Sequence, residues 1–143
     1  DDDGYTNKDY FNAFFDGDGK FEIYEYLQIH IKSDDNNYIV QSVEGKIIYR
    51  DKIKECLKQK DIIAKDLKNT FPKAKQINSN EPHTGDKSGK SIAYETYFIL
   101  SDDSGSIGVA CYDWSEHLIH YDNLKVFIDS AEFYDWLSTK AYK

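Results

Sequence analysis

Methionine is absent from the 143 residues, proline occurs twice and arginine once, at Arg50. Each scarcity excludes something. A lone arginine among 18 basic residues leaves no guanidinium cluster to clamp phosphate or carboxylate bidentately. No apolar run approaches the length of a transmembrane helix. No stretch is rich enough in proline, glycine or serine to mark a linker, so a single domain over residues 1–143 is expected. Positive charge is in deficit as well: 26 acidic residues against 18 basic ones leave a net charge of −8. That sign repels phosphate backbones and anionic lipid, so neither nucleic acid nor membrane insertion is expected and a basic protein is the favoured partner. Four histidines offer little material for general acid–base chemistry.

The chain opens Asp1-Asp2-Asp3 with no initiator, which reads as a processed or trimmed end. Removal of a signal peptide, and with it a periplasmic or secreted location, is the expectation. Cys56 and Cys111 are compatible with one disulfide in an oxidising compartment and equally with two buried thiols.

Aromatic residues are plentiful: 12 Tyr, 8 Phe and 2 Trp. Tyrosine joins an apolar body to a polar tip, and so suits half-buried sheet faces and protein interfaces alike. Along the chain, Phe11, Phe14 and Phe15 fall at i, i+3 and i+4, predicting a short first helix ended by Gly17 and Gly19. Phe21 to Lys32 alternates with period two and predicts a strand, as do Tyr38 to Val43 and, after a turn at Glu44-Gly45, Lys46 to Tyr49. Helical spacing returns over Asp51 to Phe71, with Ile53, Cys56, Leu57, Ile63, Leu67 and Phe71 inward and Pro72 as the stop. Residues 73–90 read as a long polar loop. Strands follow at Ser91 to Leu100, Ser106 to Trp114 and Leu124 to Ile128. A capping box at Asp129 and Glu132 then opens a last helix. The expected fold is α+β: an antiparallel sheet of about five or six strands, in the order α-βββ-α-βββ-α, with helices packed on one face. Tyr24-Glu25 with Ser33-Asp34-Asp35 recurs as Tyr94-Glu95 with Ser101-Asp102-Asp103, a hint of internal duplication.

Three short segments carry possible chemistry. Asp16-Gly17-Asp18-Gly19-Lys20-Phe21 through Glu25 resembles an EF-hand loop over about ten residues, with Asp16, Asp18 and Glu25 as the implied calcium ligands. In that register the first ligand position falls on Phe14, which cannot coordinate an ion. Gly85 to Ser91 approaches a phosphate-binding loop, but its glycines are one residue too close and a strand follows where a helix is needed. Cys111, Asp113, Glu116, His117, His120 and Asp122 crowd within about a dozen residues. They define the alternative reading, a small metal-dependent enzyme or metal-binding module centred on Cys111, His117 and His120.

None of these amounts to a catalytic apparatus, and no cofactor is implied. The favoured reading is an exported, non-enzymatic protein-binding module, of the kind represented by an inhibitor or immunity protein, engaging a basic partner through acids and aromatics. Its expected contact residues are Tyr24, Tyr26, Tyr112, Asp113, Trp114 and Glu116, where rings supply buried area and carboxylates steer association. A secreted structural or adhesion domain is a third class.

Overall fold

In the computed structural model, which describes residues 5–143, seven antiparallel strands form one sheet in the order β1-β2-β3-β7-β6-β5-β4. The strands are β1 (Tyr10–Asp16), β2 (Tyr26–Lys32), β3 (Val40–Arg50), β4 (Lys75–Pro82), β5 (Ile92–Ile99), β6 (Gly105–Asp113) and β7 (Asp122–Ser130). Helix α1 (Ile53–Thr70) follows β3, and α2 (Ala131–Thr139) follows β7. The fold is therefore α+β, with more strands and fewer helices than expected. The Asp1-Asp2-Asp3 opening lies outside the described residues.

The first predicted helix is a strand. Three phenylalanines at spacings of three and one satisfy a helical stripe, but aromatic residues also favour a pleated surface, and β2 supplies the backbone partners. The pairing sends Phe14 to one face and leaves Phe11 and Phe15 on the other. Glu44-Gly45 is not a turn either: β3 runs straight through it. Gly45 is required because the Tyr24 ring lies over it, where a Cβ would sit 2.7 Å from ring carbons. The polar stretch expected as a loop contains β4, an edge strand whose Lys75, Gln76, Asn78, Asn80 and Glu81 keep it wet and whose last residue is Pro82. β2 begins only at Tyr26, and β7 extends past both ends of the predicted Leu124 to Ile128. The proposed duplication has no matching placement, since Tyr24 lies ahead of β2 and Tyr94 inside β5.

Directly opposed residues of antiparallel strands share a face, so the register sorts the side chains. Ile47, Leu124, Cys111 and Tyr94 form one row, and α1 packs across it with Ile53, Leu57, Ile63 and Ala64. Cys56 on α1 is disulfide-bonded to Cys111 at a Cα–Cα distance of 6.0 Å, which decides between the two cysteine readings. Helix α2 packs on the opposite face, not the same one. Its Phe133 and Trp136 meet Tyr10, and Phe133 lies against His30 with ring centroids 4.6 Å apart. The cap of α2 is Ser130 rather than Asp129: the Ser130 hydroxyl oxygen accepts the Phe133 N–H at 3.1 Å. The segment before β1 crosses the same face and is fastened to the C-terminal tail, where Thr6 N–H donates to the Ala141 carbonyl at 2.9 Å.

The disulfide closes a loop of sequence separation 55, worth about 4 kcal/mol in the chain-entropy treatment. Replacing both cysteines by alanine is therefore expected to lower the unfolding free energy by about 2–4 kcal/mol. Urea titration followed by tryptophan fluorescence measures this, and reductant added to the unaltered chain should move the midpoint the same way. An unmoved midpoint in both would show that loop closure contributes nothing.

Candidate functional site

The face carrying α2 is not fully covered. Between α2, the C-terminal tail, Tyr5 and the β4–β5 hairpin lies a cavity of about 430 Å³, floored by β3, β7, β6 and β5. That volume falls in the ordinary range for ligand sites. Its floor follows from strand parity. One row runs Lys46, Lys125, Ala110, Glu95; the next runs Glu44, Phe127, Gly108, Tyr97. Gly108 makes room between large neighbours: a Cβ there would lie 2.6 Å from the Phe127 ring and 2.7 Å from Tyr97 Cβ.

Lys125 and Glu44 form a buried ion pair on this floor, Nζ to Oε1 3.1 Å. Burial works against both charges, and each partner outweighs it for the other. Glu44, with Tyr112 and Tyr5, holds the Lys125 ammonium well above its usual range, and Lys125 and His30 hold Glu44 below its own. Lys125 Nζ also stands 5.4 Å from the centroid of the Tyr112 ring. Glu95, across Ala110 from Lys125, takes part in no ion pair among the described residues, and burial pushes its carboxyl up. Burial raises the phenols of Tyr112, Tyr97 and Tyr5 in the same way. At the mouth, burial and then Lys125 bring His83 down to about 4, so its imidazole is neutral at pH 7. Tyr134 on α2 reaches Tyr97 hydroxyl to hydroxyl at 3.3 Å.

A third row, His30, Ser42, Asp129 and Ser106, is buried throughout. The Ser106 hydroxyl has no hydrogen-bond partner among the described residues, while the Ser42 hydroxyl beside Asp129 favours its ionised form. Serine, histidine and aspartate share this row, yet Ser42 stands between His30 and Asp129. A nucleophile-activating relay needs the base in the middle, between acid and nucleophile. Burial raises the Asp129 carboxyl to about 6.

Of the residues expected to contact a partner, Tyr112 alone lines the cavity. Asp113 ends β6 beside it, and Trp114 is half-buried with its ring 5.9 Å from Tyr112 and 4.5 Å from His83. Glu116 is exposed in the β6–β7 connection. Tyr24 and Tyr26 lie across the sheet, Tyr24 over Gly45 and Tyr26 stacked on Phe14 at 5.1 Å. The six therefore form two groups, not one surface. Glu44, Glu95, Tyr97, Lys125 and Asp129 are cavity residues that sequence reasoning passed over. Their signal was a charge in alternation with apolar residues, as in Ala93-Tyr94-Glu95-Thr96-Tyr97 and Leu124-Lys125-Val126.

The short motifs resolve into structural parts. Asp16 Oδ1 accepts the Asp18 N–H at 3.0 Å within the turn after β1, and Glu25 Oε1 accepts the Ile48 N–H at 3.1 Å. In the Gly85 to Ser91 hairpin, the Asp86 carboxylate accepts from the Ser91 hydroxyl at 2.7 Å and from the Ser88 N–H at 2.8 Å. These bonds hold its carboxyl far below the usual range. The Ser91 hydroxyl in turn accepts the Ser115 N–H at 3.0 Å, tying the hairpin to the β6–β7 connection. Cys111 is spent in the disulfide and has no thiol to offer. His117 Nε2 lies 3.3 Å from Lys90 Nζ, and His120 packs on Trp114 at 4.8 Å. Among the described residues no group of three or more His, Cys, Asp or Glu is arranged to hold a metal ion, and no helix is long and apolar enough to cross a membrane.

Comparison of the chain with known protein families, curated proteins and solved structures returns no match.

Two variants test the electrostatics. Lys125→Met strands Glu44, only 6% exposed, as an unpaired charge and is expected to cost about 3 kcal/mol of stability in urea titration at pH 7. Asp129→Asn should act oppositely. The folded chain raises this carboxyl from 3.8 to about 6, so it holds a proton that the unfolded chain releases between those values, and stability falls as pH rises through 6. Asparagine mimics the protonated form. A gain of about 3 kcal/mol is expected at pH 7, fading to nothing below pH ~4. A gain that persists at pH ~3 would refute the titration account.

Proposed function

We propose that the protein is an exported, non-enzymatic binding module that engages a basic protein partner, and that the cavity on the α2 face is where it takes hold. The observation that carries this reading is the composition of the cavity: tyrosine and phenylalanine side chains around a floor on which Glu95 takes part in no ion pair among the described residues. Rings supply desolvated contact area at low entropic cost, and an uncompensated carboxylate favours a positive group. The net charge of −8 adds long-range attraction of the same sense. The Cys56–Cys111 disulfide fits an oxidising compartment, which supports export. An inhibitor or immunity role belongs to this class.

The metal-dependent alternative has less to draw on. Its centre loses the Cys111 thiol to the disulfide, and the described residues bring neither His117 nor His120 to a third ligand.

The tagged chain, used as bait in extract of its own source, is expected to retain a basic protein at about one-to-one stoichiometry. Retention should weaken steeply as salt rises, because exposed charges are screened beyond ~8 Å at physiological ionic strength. A partner that is acidic, or that stays bound regardless of salt, would count against the proposal, and so would no partner at low salt.

A further inference from the structure

The cavity floor already seats one alkylammonium group. Lys125 Nζ rests between the Glu44 carboxylate at 3.1 Å and the face of Tyr112, with its centroid at 5.4 Å. Half of that arrangement is repeated two strands away without the ammonium. Glu95 occupies the same cross-strand row as Lys125, separated from it by the buried Ala110. Tyr97 and Tyr112 flank Glu95 on the cavity side, and Phe127 completes the ring-lined wall. Among the described residues Glu95 has no ion pair: a Tyr112 hydrogen bond and the Lys125 charge, beyond ion-pair distance, act on its carboxyl. Lys125 is committed to Glu44, His83 is neutral, and Lys140 and Lys143 are exposed residues of the rim. Glu81 and Asp129 add acid rather than base to the lining.

Resting on the basic-partner reading above, we infer that the cavity receives one lysine side chain of that partner, its ammonium against Glu95 and its methylene stem along the rings of Tyr97, Tyr112 and Phe127. A compact ammonium fits a single carboxylate between rings, as Lys125 demonstrates on the same floor, whereas a guanidinium favours bidentate pairing with a planar acceptor. The volume of about 430 Å³ also admits backbone flanking the lysine, so the partner presents it from a loop or an extended segment.

The test is an NMR titration of the isotope-labelled chain with Nα-acetyl-lysine methylamide, beside its norleucine and arginine counterparts and butylammonium. A ligand of this size is expected to bind with a Kd on the order of 1 mM and to shift the amides of Glu95, Tyr97 and Tyr112. Norleucine, which keeps the stem and loses the charge, should bind about tenfold more weakly. Glu95→Gln should lose about tenfold for lysine and nothing for norleucine, with Tyr97→Leu as a second variant losing several-fold. The norleucine comparison uses the unaltered chain and holds even if a variant folds poorly. Equal binding of norleucine and lysine, or no shift at those amides, overturns the inference. Arginine binding as tightly as lysine overturns the choice of ammonium, and butylammonium binding more tightly than the lysine probe overturns a side-chain source. Basic partner captured equally well by Glu95→Gln would remove this inference and leave the binding-module reading standing. Lysine bound in the cavity with no basic partner captured would do the reverse.

Discussion

Lys125 and Glu44 are opposite charges on neighbouring strands at the centre of a seven-stranded sheet, and the rest of the α2 face is arranged around them. Taking two charges out of water is costly, so the pair holds only where both members are present and correctly placed. Slipping β3 against β7 by one residue would turn Glu44 to the α1 face and leave Lys125 alone. The pair thus selects one register for the two central strands. An apolar helix could not seal the α2 face as α1 seals the other without also burying Glu95 and the Tyr112 hydroxyl, which line the cavity.

The two faces divide the work. On the α1 side the Cys56–Cys111 bond and the row Ile47, Leu124, Cys111 and Tyr94 belong to one hydrophobic core. On the α2 side the chain keeps groups that lower stability: a buried Asp129 raised to about 6, and a Ser106 hydroxyl with no hydrogen-bond partner among the described residues. Features that cost stability without a packing return are concentrated where proteins bind or react. Asp129 lines the cavity.

How much was legible depended on which rule each segment obeyed. Helix α1 was readable because Ile53, Cys56, Leu57 and Ile63 keep a helical period and Pro72 ends it, all local facts. β5, β6 and most of β7 were readable from apolar alternation between turns. β1 was misread because Phe11, Phe14 and Phe15 satisfy a helical stripe, and its strand state is set by pairing with β2, which local periodicity cannot reveal. β4 was missed because an edge strand needs only one partner and carries almost no apolar signal. The six expected contact residues were chosen as mixed aromatics and acids in two short segments, and of these only Tyr112 lines the cavity.

The sequence by itself determined the acid excess, the aromatic richness, the α1 stripe and the presence of two cysteines, because composition and short-range periodicity are properties of the chain before it folds. The tertiary structure alone decided that Cys56 meets Cys111, that α1 and α2 cover opposite faces, and that Glu44, Glu95, Tyr97, Tyr112 and Lys125 share one cavity. These residues lie on four strands, and which of them become neighbours is settled by strand order and register, which long-range hydrogen bonding and burial select together.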